Sequence, residues 1–195
     1  METFLQIWGG SGYFLAKLFL VRAEFVENNK KLRFIGWIVY LLGLPAWVIL
    51  LANRQNWIAA AIETAGFPSI MLGIVMTWKQ KTNPHKIIDW CIRIFTGLMI
   101  ILGISFSIYT FNGIKAFSQI LEIIIIFGYL VSNYLLAKRN PYAWLMFVVG
   151  LGSMGLLMYI QSKYILCIQQ AISLIPVIIG FIKVMGKTQL KNKIE

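Results

Sequence analysis

The sequence predicts an all-α polytopic membrane protein: seven transmembrane helices forming two parallel three-helix repeats joined by a linker helix. Three observations lead there. The 195-residue chain is 59% hydrophobic and only 13% charged, where a soluble domain carries about 25% charged residues. Its apolar runs are long and separated by short polar loops. Its Lys and Arg residues load alternate loops.

Taken in order, the first apolar run covers residues 4–26 and holds Gly9, Gly10, Gly12, Lys17, Arg22 and Glu24. If it spans, the N-terminus is outside. If it lies on the surface, six helices remain and both termini are inside. Six clearer runs follow at about 34–52, 57–78, 88–111, 116–137, 142–161 and 164–186. About 20 residues of helix cross a hydrocarbon core of about 30 Å. Each run must be helical there, because unpaired backbone groups in lipid are costly. Seven spans account for the whole of residues 1–195 as one transmembrane domain, with a basic tail at 187–195 and no appended soluble domain. The first run follows Glu2 rather than a basic stretch, and no small-residue cleavage site follows it, so no cleaved signal peptide is expected.

The charge pattern sets the orientation. Arg22, Lys30, Lys31 and Arg33 share a side with Lys79, Lys81 and Lys86. Lys138 and Arg139 join them, as do Lys183, Lys187, Lys191 and Lys193. The intervening loops hold only Arg54, Lys115 and Lys163, while Lys17 and Arg93 lie within or beside apolar segments. Cytoplasmic loops retain Lys and Arg, so the heavy side is the cytoplasm. The expected location is the cytoplasmic (inner) membrane, multi-pass, N-terminus outside and C-terminus inside. The net charge of +11 is then a topology signal and an attraction to anionic lipid, and no nucleic-acid partner is implied.

A shift of 107 residues aligns two stretches without a gap. Trp37 falls on Trp144, Gly43 on Gly150, Leu44 on Leu151, Leu50 on Leu157, Ile58 on Ile165 and Gly73 on Gly180. Tyr40 pairs with Phe147, Trp57 with Tyr164 and Glu63 with Gln170. The units are about 4–78 and 116–186, and the helix at about 88–111 links them. One linker helix restores the same orientation to the second unit, a known transporter plan.

Few residues offer chemistry. Glu63 lies inside an apolar helix, where an ionised carboxylate costs several kcal/mol unless paired, hydrated or protonated. It marks either a site in a water-filled cavity or a contact to a neighbouring helix. Its repeat partner Gln170 points to a shared axial cavity. Gln169 is the weaker of two adjacent amides, since neighbours on a helix point about 100° apart. Glu122 is a second intramembrane acid, nearer a helix end, whose counterpart at the same shift is Leu15. Trp47, Phe147 and Tyr40 lie deep enough to stack on a heteroaromatic ring. Trp37, Trp57, Trp78, Trp90 and Trp144 sit at helix ends and read as an interfacial belt. Gly43 and Gly150 permit close helix packing. Ser132 and Asn133 read as helix-joining groups. No metal cluster, Ser-His-Asp set, Walker loop or redox motif is present. The chain therefore reads as a non-enzyme needing no cofactor, and its partners are a small molecule and membrane lipid, with a homo-oligomer left open.

The run Glu122 … Leu136-Ala137-Lys138-Arg139 … Ala143-Trp144 … Gln161 … Tyr164 … Gly180 resembles the bacterial nicotinamide riboside transporter family, the Pnu-type vitamin transporters. A weaker likeness covers 34–78, with Trp57, Glu63, Gly73 and Trp78. The resemblance implies the same three-plus-one-plus-three fold, related to SWEET-type sugar transporters. It also implies facilitated diffusion, with a cytoplasmic kinase trapping the product. The family favours Asn where this chain has Gly36, Gly43, Ile70, Ala143, Leu151 and Ile179. Those departures bear on the substrate more than on the fold. The expected function is a membrane transporter of a small vitamin-like solute, nicotinamide riboside or a related nucleoside or vitamin. Passive and ion-coupled uptake both stay open. The alternative is a non-transport interaction or sensor protein on a transporter-like fold.

Overall fold

The computed structural model describes residues 2–26, 29–53, 57–81, 84–113, 117–160, 162 and 164–192. Arg54, Lys115, Ala116, Gln161, Lys163 and Lys193, which enter the charge, boundary and resemblance arguments, lie outside the described residues. Seven helices are present among them: α1 Glu2–Phe25, α2 Lys30–Asn53, α3 Trp57–Trp78, α4 Lys86–Phe111, α5 Phe117–Ala137, α6 Tyr142–Ile160 and α7 Tyr164–Asn192. All seven are long and apolar enough to cross a membrane, so the less apolar first run 4–26 forms a helix of spanning length like the others.

Two boundaries differ from the sequence expectation for physical reasons. Helix α2 starts at Lys30 rather than about 34, because the Asn29 side chain accepts a hydrogen bond from the Leu32 N–H at 3.2 Å and caps the helix earlier. Helix α7 runs on to Asn192, through most of the expected tail. No proline interrupts the segment after Pro176, and Lys and Gln are good helix formers.

Six helices close a ring. Helix α1 packs on α2, α2 on α3, α3 on α5, α5 on α6, α6 on α7, and α7 returns to α1. Helix α4 stands outside, and among the described residues it touches only α3 and α5. Only 11% of its spanning window is buried. Its outward face carries Ile87, Ile94, Ile101 and Leu102, all exposed, which suits lipid contact. A polar clasp holds one end of α4 to α5: Asp89 accepts from the Tyr134 hydroxyl at 2.6 Å, from Arg93 at 2.7 Å and from Lys138 at 3.3 Å.

Small residues set the closest approaches. A Cβ on Gly12 would come within 3.0 Å of the Gly43 Cα, so α1 and α2 meet backbone to backbone. A Cβ on Gly128 would come within 2.6 Å of the Gly150 Cα, which does the same for α5 and α6. Gly73 of α3 faces the Trp37 ring, and Gly180 of α7 faces the Trp144 ring. Trp37 and Trp144 are each 1% exposed. The interfacial-belt reading is therefore overturned for these two residues: the opposite glycines open space that draws each indole inward. Trp78 and Trp90 do stay exposed.

Candidate functional site

Every ring helix contributes to one small chamber, and among the described residues α4 adds nothing to its wall. Tyr13 and Lys17 come from α1, Trp47 from α2 and Glu63 from α3. Tyr129 comes from α5, Met154 from α6, and Gln169, Gln170 and Ser173 from α7. Its interior of about 10 Å³ has room for roughly one water molecule.

Glu63 is half-buried and accepts a hydrogen bond from the Tyr13 hydroxyl at 2.6 Å. Opposite, the Tyr129 hydroxyl donates to Gln170 Oε1 at 3.4 Å. Glu63 and Gln170 each sit six positions after the first residue of their helix, Trp57 and Tyr164, about 9 Å along the axis at 1.5 Å per residue. Lys17 is 3% exposed and attracted electrostatically by Glu63. Among the described residues it donates no hydrogen bond, and no ion pair joins it to Glu63. Trp47 presents a buried indole N–H with no hydrogen-bond partner among the described residues.

The other expected site residues fall into two groups. Tyr40 and Phe147 do not line the chamber but support it from behind. Tyr40 meets Tyr13 edge-on, with centroids 4.6 Å apart, and stacks on Trp37 at 6.2 Å. Phe147 meets Tyr129 edge-on at 6.3 Å. Glu122 stands apart on α5, half-buried and absent from the chamber wall. Gln169 reaches the wall by lying against Gly10 of α1, where a Cβ would collide with its amide.

Sequence reasoning missed Tyr13, Lys17, Tyr129, Met154 and Ser173. A signal existed for Lys17, since an ionisable residue inside an apolar run is a candidate site by default. The tyrosines, Met154 and Ser173 are ordinary in such helices and gave none.

Asn133 of α5 lies beside Gly66 of α3, and its Oδ1 has no hydrogen-bond partner among the described residues. Ser132 bonds its own helix at the Tyr129 carbonyl, 2.9 Å away. At the basic ends, Arg33 bonds Glu24 at 2.7 Å. Burial lowers the pKa of the Arg139 guanidinium in the α5–α6 turn, with Arg33 adding to the effect and Glu24 opposing it. Glu24 at the end of α1 and Arg33 at the start of α2 therefore act on the charge in the α5–α6 turn.

No protein-family model, curated protein or solved structure matches this chain. The fold and site define a multi-pass membrane protein with a buried, charged, axial chamber.

Proposed function

We propose that this protein is a transporter of a small vitamin-like solute, nicotinamide riboside or a related nucleoside or vitamin, working by facilitated diffusion. It would reside in the cytoplasmic membrane with its N-terminus outside and C-terminus inside, as the basic loops favour. The observation that carries this reading is the convergence of Glu63, Lys17, Gln170 and Ser173 from α1, α3 and α7 on one axial chamber. Buried charges and amides in lipid are costly, and a polar solute gives them work. Hydrogen-bonding amides and hydroxyls suit ribose and carboxamide groups.

The three-plus-one-plus-three plan is part of this proposal, and matched contacts support it. Gly12 meets Gly43 as Gly128 meets Gly150, and Gly73 meets Trp37 as Gly180 meets Trp144. Tyr13 beside Gly12 bonds Glu63, as Tyr129 beside Gly128 bonds Gln170. By these contacts α1 relates to α5 through Tyr13 and Tyr129, an offset of 116 residues. The gap-free shift of 107, which set Leu15 against Glu122, does not carry through α1.

The chamber has room for about one water molecule, so binding a nucleoside-sized solute requires the ring helices to part. The same tightness favours the second reading, a membrane interaction or sensor protein. Vesicle uptake separates the two. Purified protein in liposomes should take up at least one labelled solute from a panel of nucleosides and vitamins, saturably and only down its gradient. A reporter active only in the cytoplasm should work when fused after Glu195 and be silent ahead of Met1. Correct topology with no uptake of any solute would leave the sensor reading standing and sink the transporter.

A further inference from the structure

The chamber holds one acid and one base that face the same space without bonding each other. Glu63 already accepts from Tyr13, while Lys17, 97% removed from solvent, has no hydrogen-bond partner among the described residues. An unpaired ammonium in a low-dielectric interior is expensive. A direct Lys17–Glu63 ion pair would have relieved it at once, yet none joins them among the described residues. The two charges are instead presented separately to whatever enters. On the same wall the Trp47 indole N–H is a buried donor with no hydrogen-bond partner among the described residues. An orphan donor of this kind calls for an acceptor from outside the chain.

We propose that the chamber selects a zwitterionic solute, with its cationic group against Glu63 and its carboxylate against Lys17. This deepens the transport reading and rests on it for the passage of the solute, though not for its binding. The chamber's own formal charge is zero, one carboxylate against one ammonium. A cationic solute satisfies Glu63 and leaves Lys17 facing positive charge. An anion does the reverse. A neutral solute of zero internal charge separation leaves both ions to be bridged by hydrogen bonds alone. A zwitterion matches both, and charge-assisted bonds are about twice as strong as neutral ones. Lys17 is then the specificity-determining residue, and it stands on α1, outside the resemblance.

Two near-isosteric probes test this. Nicotinic acid riboside carries a pyridinium and a carboxylate. Nicotinamide riboside carries the same pyridinium and a neutral carboxamide. Calorimetric titration of the purified full chain in detergent should give at least tenfold tighter binding of the acid. Lys17→Met should reverse that order, and Lys17→Arg should keep it. Glycine betaine against choline repeats the comparison on a smaller scaffold. Equal or tighter binding of the cations by the unaltered protein overturns the inference, whether or not Lys17→Met folds. So does transport of a neutral or cationic solute when neither zwitterion binds. If a zwitterion binds but nothing is taken up into vesicles, the site stands and the transport reading falls. If nothing binds and nothing is transported, both fall.

Discussion

Replacing Glu63 by Leu should leave little folded protein. The substitution removes the acceptor of the Tyr13 hydroxyl, 2.6 Å away, and the counter-charge to Lys17, which is 3% exposed. Breaking one side of a buried charge pair typically costs about 3–5 kcal/mol, or roughly two to nearly four powers of ten in the folded-to-unfolded ratio. Lys17 and Glu63 make no direct bond, so the lower end of that range applies. Glu63→Gln keeps an acceptor for Tyr13 and should fall between the unaltered protein and Glu63→Leu. The decisive comparison is the double variant Lys17→Met/Glu63→Leu. Removing both charges together is often neutral or stabilising, so thermal stability in detergent should return while uptake stays lost. A double variant no more stable than Glu63→Leu alone would show that Lys17 and Glu63 do not share one electrostatic environment.

Gly73→Val should produce the second largest loss. A Cβ at residue 73 would overlap the Trp37 ring, and Trp37 is 1% exposed with Tyr40 stacked on it. The indole has no free direction in which to retreat. Overpacking of this kind costs about 1–3 kcal/mol, and about 2–4 °C of Tm per kcal/mol for a chain of this size puts the loss at about 2–12 °C. Gly180→Val should cost less, because its nearest Trp144 atom is 3.1 Å from the added Cβ. Gly152→Ala, which meets nothing within 4 Å, should be neutral. The order of the three melting temperatures in detergent is the readout, and equal losses at 73 and 152 would remove the Gly73–Trp37 contact from the account.

Much of the architecture was readable in one dimension because lipid leaves so few options. Six spans followed from run length, since a buried backbone in hydrocarbon must be helical, and only the repeat argued for a seventh at 4–26. Glu63, Gln170, Gln169 and Trp47 were singled out by polarity or size inside apolar runs, and all four line the chamber. What sequence could not supply was lateral position. Trp37 and Trp144 lie near helix ends, where an interfacial belt is the ordinary explanation. Only the glycine on the neighbouring helix reveals that they turn inward. On the proposed repeat, the 107-residue alignment stops short of α1 for a related reason. From Tyr13 to Gly43 the chain is nine residues longer than from Tyr129 to Gly150. The turns between helices are alike, Phe25 to Lys30 and Ala137 to Tyr142. The extra residues therefore lengthen the helices themselves, by about one turn each. A gap-free comparison cannot see a hairpin that has grown at its tip.

Lys17 also constrains how the chain is made. Helix α1 has the lowest hydropathy of the seven candidate spans, and a basic residue at mid-helix adds about 2.5–3.5 kcal/mol against insertion. Its compensating charge is on α3 and its remaining neighbours are on α2 and α7, all synthesised later. We predict that α1 crosses stably only once α3 has been made. A cysteine placed near Met1 should react with an impermeant outside reagent in chains ending after residue 81, and poorly in chains ending after residue 53. Full reaction in the shorter chains would refute this. Until Glu63 arrives, α1 is held by the insertion machinery or the membrane surface rather than by its own hydrophobicity, so the residue that tunes the chamber also times its assembly.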